Sequence, residues 1–111
     1  LIMCLMLPAC VNTQILGGPV AHDRLIDGVY AGRAKGGPNS VVVQVTIENR
    51  HIAHIAILEH EHMLGEKAEP VIPQRIIEQQ STNVDAVSGA TNSSKVIMNA
   101  VQDALEQAYI Q

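Results

Sequence analysis

The sequence contains no Phe and no Trp, and Tyr30 and Tyr109 are its only aromatic residues. Any core it builds is therefore aliphatic, and the stacked aromatic platforms that hold single-stranded nucleic acid are missing. Positive charge is also scarce: seven Lys and Arg stand against eleven Asp and Glu, for a formal net charge of −4, and no basic stripe is present. Nucleic acid is excluded as a partner on both counts. The two cysteines, Cys4 and Cys10, both fall in the first ten residues. The remainder can form neither a disulfide nor a CxxC metal or redox site, so any redox chemistry there must come from a bound group. What the chain does have is 47% hydrophobic residues in a length of 111, enough for one domain with a real core.

The opening run, LIMCLMLPAC, is apolar but about half the length needed to span a bilayer as a helix. Residues 1–9 read as the end of a secretory signal. Leu7-Pro8-Ala9-Cys10 resembles the lipobox of bacterial lipoproteins, which implies a lipidated Cys10 and an extracytoplasmic protein anchored to a bacterial membrane. Residues 10–24, with Gly17-Gly18-Pro19 and no clear period, read as a flexible tether, and an ordered domain is expected over 25–111.

Within that domain, Tyr30 to Ala34 is a short strand candidate, and Lys35-Gly36-Gly37-Pro38-Asn39 is a turn. Val41 to Ile47, β-branched almost throughout, is the clearest strand. Asn49 tolerates the left-handed conformation of a tight turn, and Ile52 to Leu58 returns as the partner strand. Pro73 suits the first position of a short helix reaching about Gln80 and burying Ile76 and Ile77. Ser93 to Tyr109 has the strongest helical period, with Ile97, Ala100, Val101, Ala104, Leu105 and Ala108 on one face. Three of those six are Ala, which lets the helix approach a sheet closely. The expected fold class is α+β: a small antiparallel β-meander covered by two helices, the longer one C-terminal.

Just before that helix stands DAVSGATNSS, residues 85–94. A turn of small residues feeding a helix start presents backbone N–H groups and the positive end of the helix dipole, which suits a phosphate. Gly89 permits a backbone conformation that a side chain would block, Ala90 keeps the approach open, and Thr91 sets a hydroxyl at the mouth. Lys95, one turn in, is poorly placed for the dipole and better explained by an anion nearby. Ser88, Ser93 and Ser94 complete the candidate set. A plain N-cap built from Ser and Thr would use the same residue types.

Asp85-Ala86-Val87-Ser88-Gly89-Ala90-Thr91 is similar to the D-x-x-S/T-G-A-T signature of the FMN-binding domain family, whose members include a component of the sodium-translocating NADH:quinone reductase. Asp27-Gly28-Val29-Tyr30-Ala31-Gly32 resembles the family's opening D-G-x-Y-x-G. The likeness extends through the hairpin, through Arg75 to Gln80 and through Ala100 to Leu105, about residues 25 to 108 in all. The resemblance implies FMN joined through its phosphate to Thr91 by a flavin transferase, with Asp85 and Ser88 recognised by that transferase. It also implies an electron carrier, not an enzyme, exchanging electrons with a membrane redox partner. The isoalloxazine ring is unaltered by such a bond, so its potential would be set by surrounding contacts.

The chain departs from the family after the second hairpin strand. Many members carry E-T-x-G there, whereas this chain has Glu59-His60-Glu61-His62-Met63-Leu64-Gly65. Met63 is a candidate ring contact through its polarizable sulfur. Four of the five histidines lie between His51 and His62, and His60 and His62 share a face if the strand continues. No third ligand for a metal on His60 and His62 is evident from spacing; a solvated strand end, or protonation coupled to flavin reduction, are the other uses of such residues. The alternative function is a lipoprotein holding flavin noncovalently, or haem or metal, through the His-rich segment 51–62.

Overall fold

In the computed structural model, which describes residues 13–62 and 65–110, Val41, Val43, Val45 and Ile47 lie on one face of a strand and are each at most 1% exposed. Alternation of this kind is what a strand with one buried face requires. The strand is the middle member of a three-stranded antiparallel meander, β1 (Gly28–Gly36), β2 (Asn39–Glu48) and β3 (His51–Glu61), in the order β1-β2-β3. Each strand runs longer than its β-branched centre indicates, because pairing continues from Gly28↔Ile47 to Gly36↔Asn39 and from Glu48↔His51 to Ser40↔Glu61.

The turn between β2 and β3 has two residues, Asn49 and Arg50, both left-handed at φ 53° and 61°. Such a turn matches the twist of the flanking strands but is costly for a residue such as Arg. Asp27 offsets that cost. Its carboxylate accepts from the N–H groups of Asn49 and Arg50, both at 2.9 Å, and so ties the hairpin tip to the residue that precedes β1.

Two helices cover the inner face: α1 (Ile72–Gln79), with Pro in its first turn, and α2 (Thr91–Ala108). The expected α+β meander with a longer C-terminal helix is the fold found. All six apolar positions expected on α2, together with Val96 and Met98, are fully buried. On α1 the core residues are Ile72 and Ile76, while Ile77 is only partly buried against them. The helix ends at Gln80, itself left-handed, whose side-chain amide pairs with both backbone groups of Ile52 at the exposed edge of β3. Helix α2 sits very close to the sheet. A Cβ on Gly32 of β1 would stand 2.1 Å from the carbonyl oxygen of Ala100 and 2.9 Å from the Ala104 Cβ, so only glycine fits where the two backbones meet.

Strand β3 departs from simple alternation twice, with register shifts opposite Thr46/Ile47 and Val42/Val43. At the second, Val43 pairs Ile57 and Val42 pairs Glu59, leaving Leu58 as the extra residue. Continued alternation from Ile55 and Ile57 would turn Glu59 and Glu61 inward. The bulge reverses this: His60 pairs the inward-facing Val41, and Leu58, Glu59 and Glu61 are exposed. Re-aiming side chains near a site is a recurrent use of bulges.

Residues 13–24 differ from the flexible tether expected of them. Leu16 N–H donates to Asn99 Oδ1, Asn99 donates to Gln14 O, and Val20 and Thr82 N–H groups pair with Gln80 O and Gly18 O. The segment lies along α2 and the end of α1, so all of the described residues ahead of Leu25, from Thr13 on, belong to the packed body. Cys10 and its proposed signal lie outside the described residues. Among the described residues no helix is long and apolar enough to cross a membrane.

The hairpin lock carries a pH signature. The N–H groups of Arg50 and Asn49 hold the Asp27 carboxyl below its ordinary value, so the folded state favours the carboxylate, and that stabilisation is present above the unfolded value of about 3.9 and lost as pH falls through the lower folded value. Asp27→Asn is expected to melt at lower temperature than the parent at pH 7. The gap should narrow on acidification below about pH 4, as read by circular dichroism melts across pH.

Candidate cofactor site

The loop ahead of α2 is shaped by hydrogen bonds that leave its outer edge open. Ala90 N–H donates to Val87 O at 2.9 Å, closing a turn over Ser88 and Gly89. Ser94 is completely buried; its hydroxyl donates to Ala90 O at 2.7 Å and accepts from Val87 N–H at 3.0 Å, fastening the loop to the first turn of the helix. Arg75 of α1 holds the start of the loop, its guanidinium donating to Asp85 O at 2.6 Å. Gly89 is left-handed at φ +85°, a conformation open to glycine and strained for most other residues.

The helix then begins at Thr91, two residues earlier than its hydrophobic period indicates. Ala90 occupies the N-cap and no side chain caps it. The N–H groups of Thr91, Asn92 and Ser93 therefore have no intrahelical acceptor, and an N-cap formed by Ser or Thr, the bland reading of the motif, is not what the loop builds. Thr91, Asn92 and Ser93, with Asn39, Gly65, Gly89 and Ala90, line a pocket of ≈ 140 Å³. Thr91 is exposed, and no described residue exchanges a hydrogen bond with its hydroxyl. Unpaired N–H groups at the positive end of an 18-residue helix suit an anionic ester or phosphate.

The expected residues separate into those at the pocket and those beside it. Gly89, Ala90, Thr91 and Ser93 line it. Asp85 and Ser88 are exposed on the same loop without lining it, and Ser94 is consumed in holding the loop. Lys95 does not line the pocket either. A cation near the loop is Lys67, whose Nζ lies 3.8 Å from where a Cβ on Gly89 would stand. Lys67 belongs to a 3₁₀ turn, Glu66–Ala68, and nothing in the local pattern links that turn to residue 89. Met63 lies outside the described residues.

Asn39, Gly65 and Asn92 complete the lining. Asn92 donates to Gly36 O at 2.6 Å and accepts from the Thr13 hydroxyl, joining the helix start to the end of β1. Ser93 is 2% exposed; its hydroxyl donates to Asn39 Oδ1 at 2.9 Å and lies 3.2 Å from His60 Nε2. Such links cross 54 and 33 positions of sequence, which is why residue spacing does not reveal them.

An uncapped helix start beside a small pocket and an exposed hydroxyl, on an α+β meander, is the geometry of a domain able to hold a phosphate-bearing ligand. Residues 35–106 match the FMN-binding domain family. The chain belongs to that family, and FMN is its cofactor. It is 34% identical over 83 residues to an uncharacterized protein of Treponema pallidum, a match covering 73% of this chain and 23% of that protein. It is 34% identical over 79 residues to urocanate reductase of Eggerthella lenta, covering 69% and 13%. With NADH:acrylate oxidoreductase of Vibrio harveyi it shares 32% identity over 84 residues, covering 73% and 8%. The chain thus spans less than a quarter of the length of these relatives.

Ser94→Ala leaves the part-buried N–H of Val87 without its acceptor, at a cost of about 1 kcal/mol. Denaturant unfolding should register that loss, and amide exchange should quicken at Val87 and Ala90 while β2 stays protected.

Proposed function

We propose that FMN is attached to this chain through a phosphodiester to the Thr91 hydroxyl, and that the domain serves as an electron carrier on the outer side of a bacterial membrane. The observation that carries this reading is the exposed Thr91 hydroxyl at the uncapped start of α2, beside the left-handed Gly89. The backbone N–H groups of the first turn would hold the phosphate oxygens, and Lys67 would add positive charge on the far side of Gly89. The pocket, at ≈ 140 Å³, falls below the roughly 300–1,000 Å³ of sites that enclose a small molecule. It suits the phosphate end alone and leaves the ring at the surface, where a partner can exchange electrons with it. When bound, FMN supplies the one- and two-electron chemistry; the chain supplies attachment, orientation and exposure.

Asp85, Ser88 and Thr91 are exposed together, as a strip recognised by a separate flavin transferase must be. The membrane reading rests on Cys10. Only Val11 and Asn12 stand between Cys10 and Thr13, and Thr13 bonds to Asn92, the neighbour of Thr91. Three Cα steps span at most about 11 Å, so a lipid on Cys10 would keep the flavin end of the domain near the bilayer and near a membrane redox partner.

Two outcomes are expected. Coexpressed with a flavin transferase, the protein should gain the mass of FMN less one water on the Thr91 peptide and fluoresce on a denaturing gel. Thr91→Ala should lose both signals completely; retention of tightly bound flavin by that variant would instead indicate noncovalent binding. Inserting eight Gly and Ser residues between Asn12 and Thr13 should leave flavin content unchanged and slow reduction by membrane vesicles several-fold.

A further inference from the structure

The bulge at Leu58 turns His60 inward, toward a carboxylate outside the hairpin that His62, just past the strand, also approaches. We propose that His60, His62 and Glu69 form a binding site for a divalent transition-metal ion of the zinc type. One potential ligand atom from each residue lies within 4.8 Å of the others. Glu69 Oε2 is 2.6 Å from His60 Nδ1 and 3.8 Å from His62 Nε2, and the two imidazole rings stand 4.4 Å apart, tilted by 52°. Glu69 follows the Glu66–Ala68 turn, so the third ligand comes from a separate element that folds back over the strand end.

The hydrogen bonds behind His60 strengthen the assignment. Ser93 spends its hydroxyl proton on Asn39 Oδ1, so toward His60 it offers lone pairs alone. Nε2 of His60 must then carry a hydrogen, and in a neutral imidazole Nδ1 is a bare lone pair. That lone pair faces a carboxylate oxygen at 2.6 Å. Two acceptors at this distance require positive charge between them, supplied by a proton or by a metal ion. The second imidazole, aimed at the same oxygen, distinguishes a cation site from a simple His–carboxylate pair. The chain from Nε2–H through Ser93 to Asn39 is also the outer-shell arrangement that fixes the tautomer of a metal-ligating histidine.

Two imidazoles and one carboxylate form a donor set that zinc uses with a fourth position left open. Ligands about 2.0–2.2 Å from a tetrahedral ion stand about 3.3 Å apart. The 2.6 Å contact must open by about 0.7 Å and the 3.8 Å contact close by about 0.5 Å. Glu69 has the freedom to do so, with its side chain 38% exposed, whereas that of His60 is 2% exposed and held from behind. On binding, His62 gives up the proton on Nε2 and carries its hydrogen on Nδ1. It thereby surrenders the 3.3 Å contact from Gly65 N–H, the longest in the cluster's hydrogen-bond set. His62 and Glu69 both reach solvent, so the ion enters from their side and the open position faces out.

The site does not depend on covalent flavin, and its test uses protein produced without a flavin transferase. Metal-free protein is titrated with Co²⁺ followed by visible absorption, and with Zn²⁺ followed by calorimetry. One equivalent should bind, with the intense ligand-field bands of a low-coordinate cobalt site. His62→Gln and Glu69→Gln, both partly exposed positions, should each weaken binding at least tenfold with unchanged circular dichroism. Ser93→Ala, which removes the orienting contact, should weaken it about tenfold. Absence of saturable binding would overturn the proposal and leave His60 and Glu69 as a hydrogen-bonded pair. Equal affinity in the His62→Gln and Glu69→Gln variants would overturn it too, since the ion would then sit elsewhere on the chain, such as at the cysteines.

Discussion

The contact on which the molecule depends is the approach of α2 to the first two strands. Gly32 has no side chain where Ala100 and Ala104 cross it, and the helix backbone rests almost directly on β1. With no Phe or Trp to fill a wide gap, a short distance between layers is the way an aliphatic core of this size reaches full packing density. The same closeness fixes where the helix begins. Its first turn is set against the β1–β2 turn on one side and the end of β3 on the other, so the position of Thr91 is inherited from contacts two and three turns further along.

That first turn distributes four consecutive side chains among four surroundings. Successive residues of an α-helix are about 100° apart, and here each direction is used. Thr91 faces outward. Asn92 reaches Gly36 O and Thr13, Ser93 reaches Asn39 and His60, and Ser94 reaches back to Val87 and Ala90. Three polar side chains thus anchor the turn to β1, to the strand ends and to the loop, and hold the fourth in a defined place. Ser93 and Ser94, which by composition alone look like further phosphate ligands, are used chiefly for this anchoring.

Much of this architecture is readable from local pattern. The β-branched run of β2, the turn at Asn49 and the apolar face of α2 each announce their element, because hydrophobic periodicity reflects which face is buried. The motif from Asp85 to Thr91 points to the family for a similar reason, since its small residues and their order are local features. What local pattern does not carry is anything that depends on a distant partner. The bulge at Leu58 inverts the face of His60, and alternation read along β3 leads to Glu59 and Glu61 instead. Glu69 and Lys67 meet His60 and Gly89 only because the segment after β3 folds back. The Gly-Gly-Pro stretch near residue 18 has the composition of a tether, yet its backbone finds partners in Gln80 and Thr82.

The order of residues in the cofactor loop follows from its having two sides. Val84, Ala90 and Ser94 are buried, and Ala86 and Val87 pack partly against the core. Asp85, Ser88, Gly89 and Thr91 are exposed. The inward residues are small or aliphatic because they must fit beneath a helix that already lies close to the sheet. The outward residues have little to do for the fold: Asp85 is held by its backbone carbonyl and not by its carboxylate. A carboxylate and two hydroxyls, those of Asp85, Ser88 and Thr91, are displayed in this way around a glycine turn and stand open to solvent. One short segment thereby does two independent things, closing the core from above and presenting a fixed outer edge to solvent.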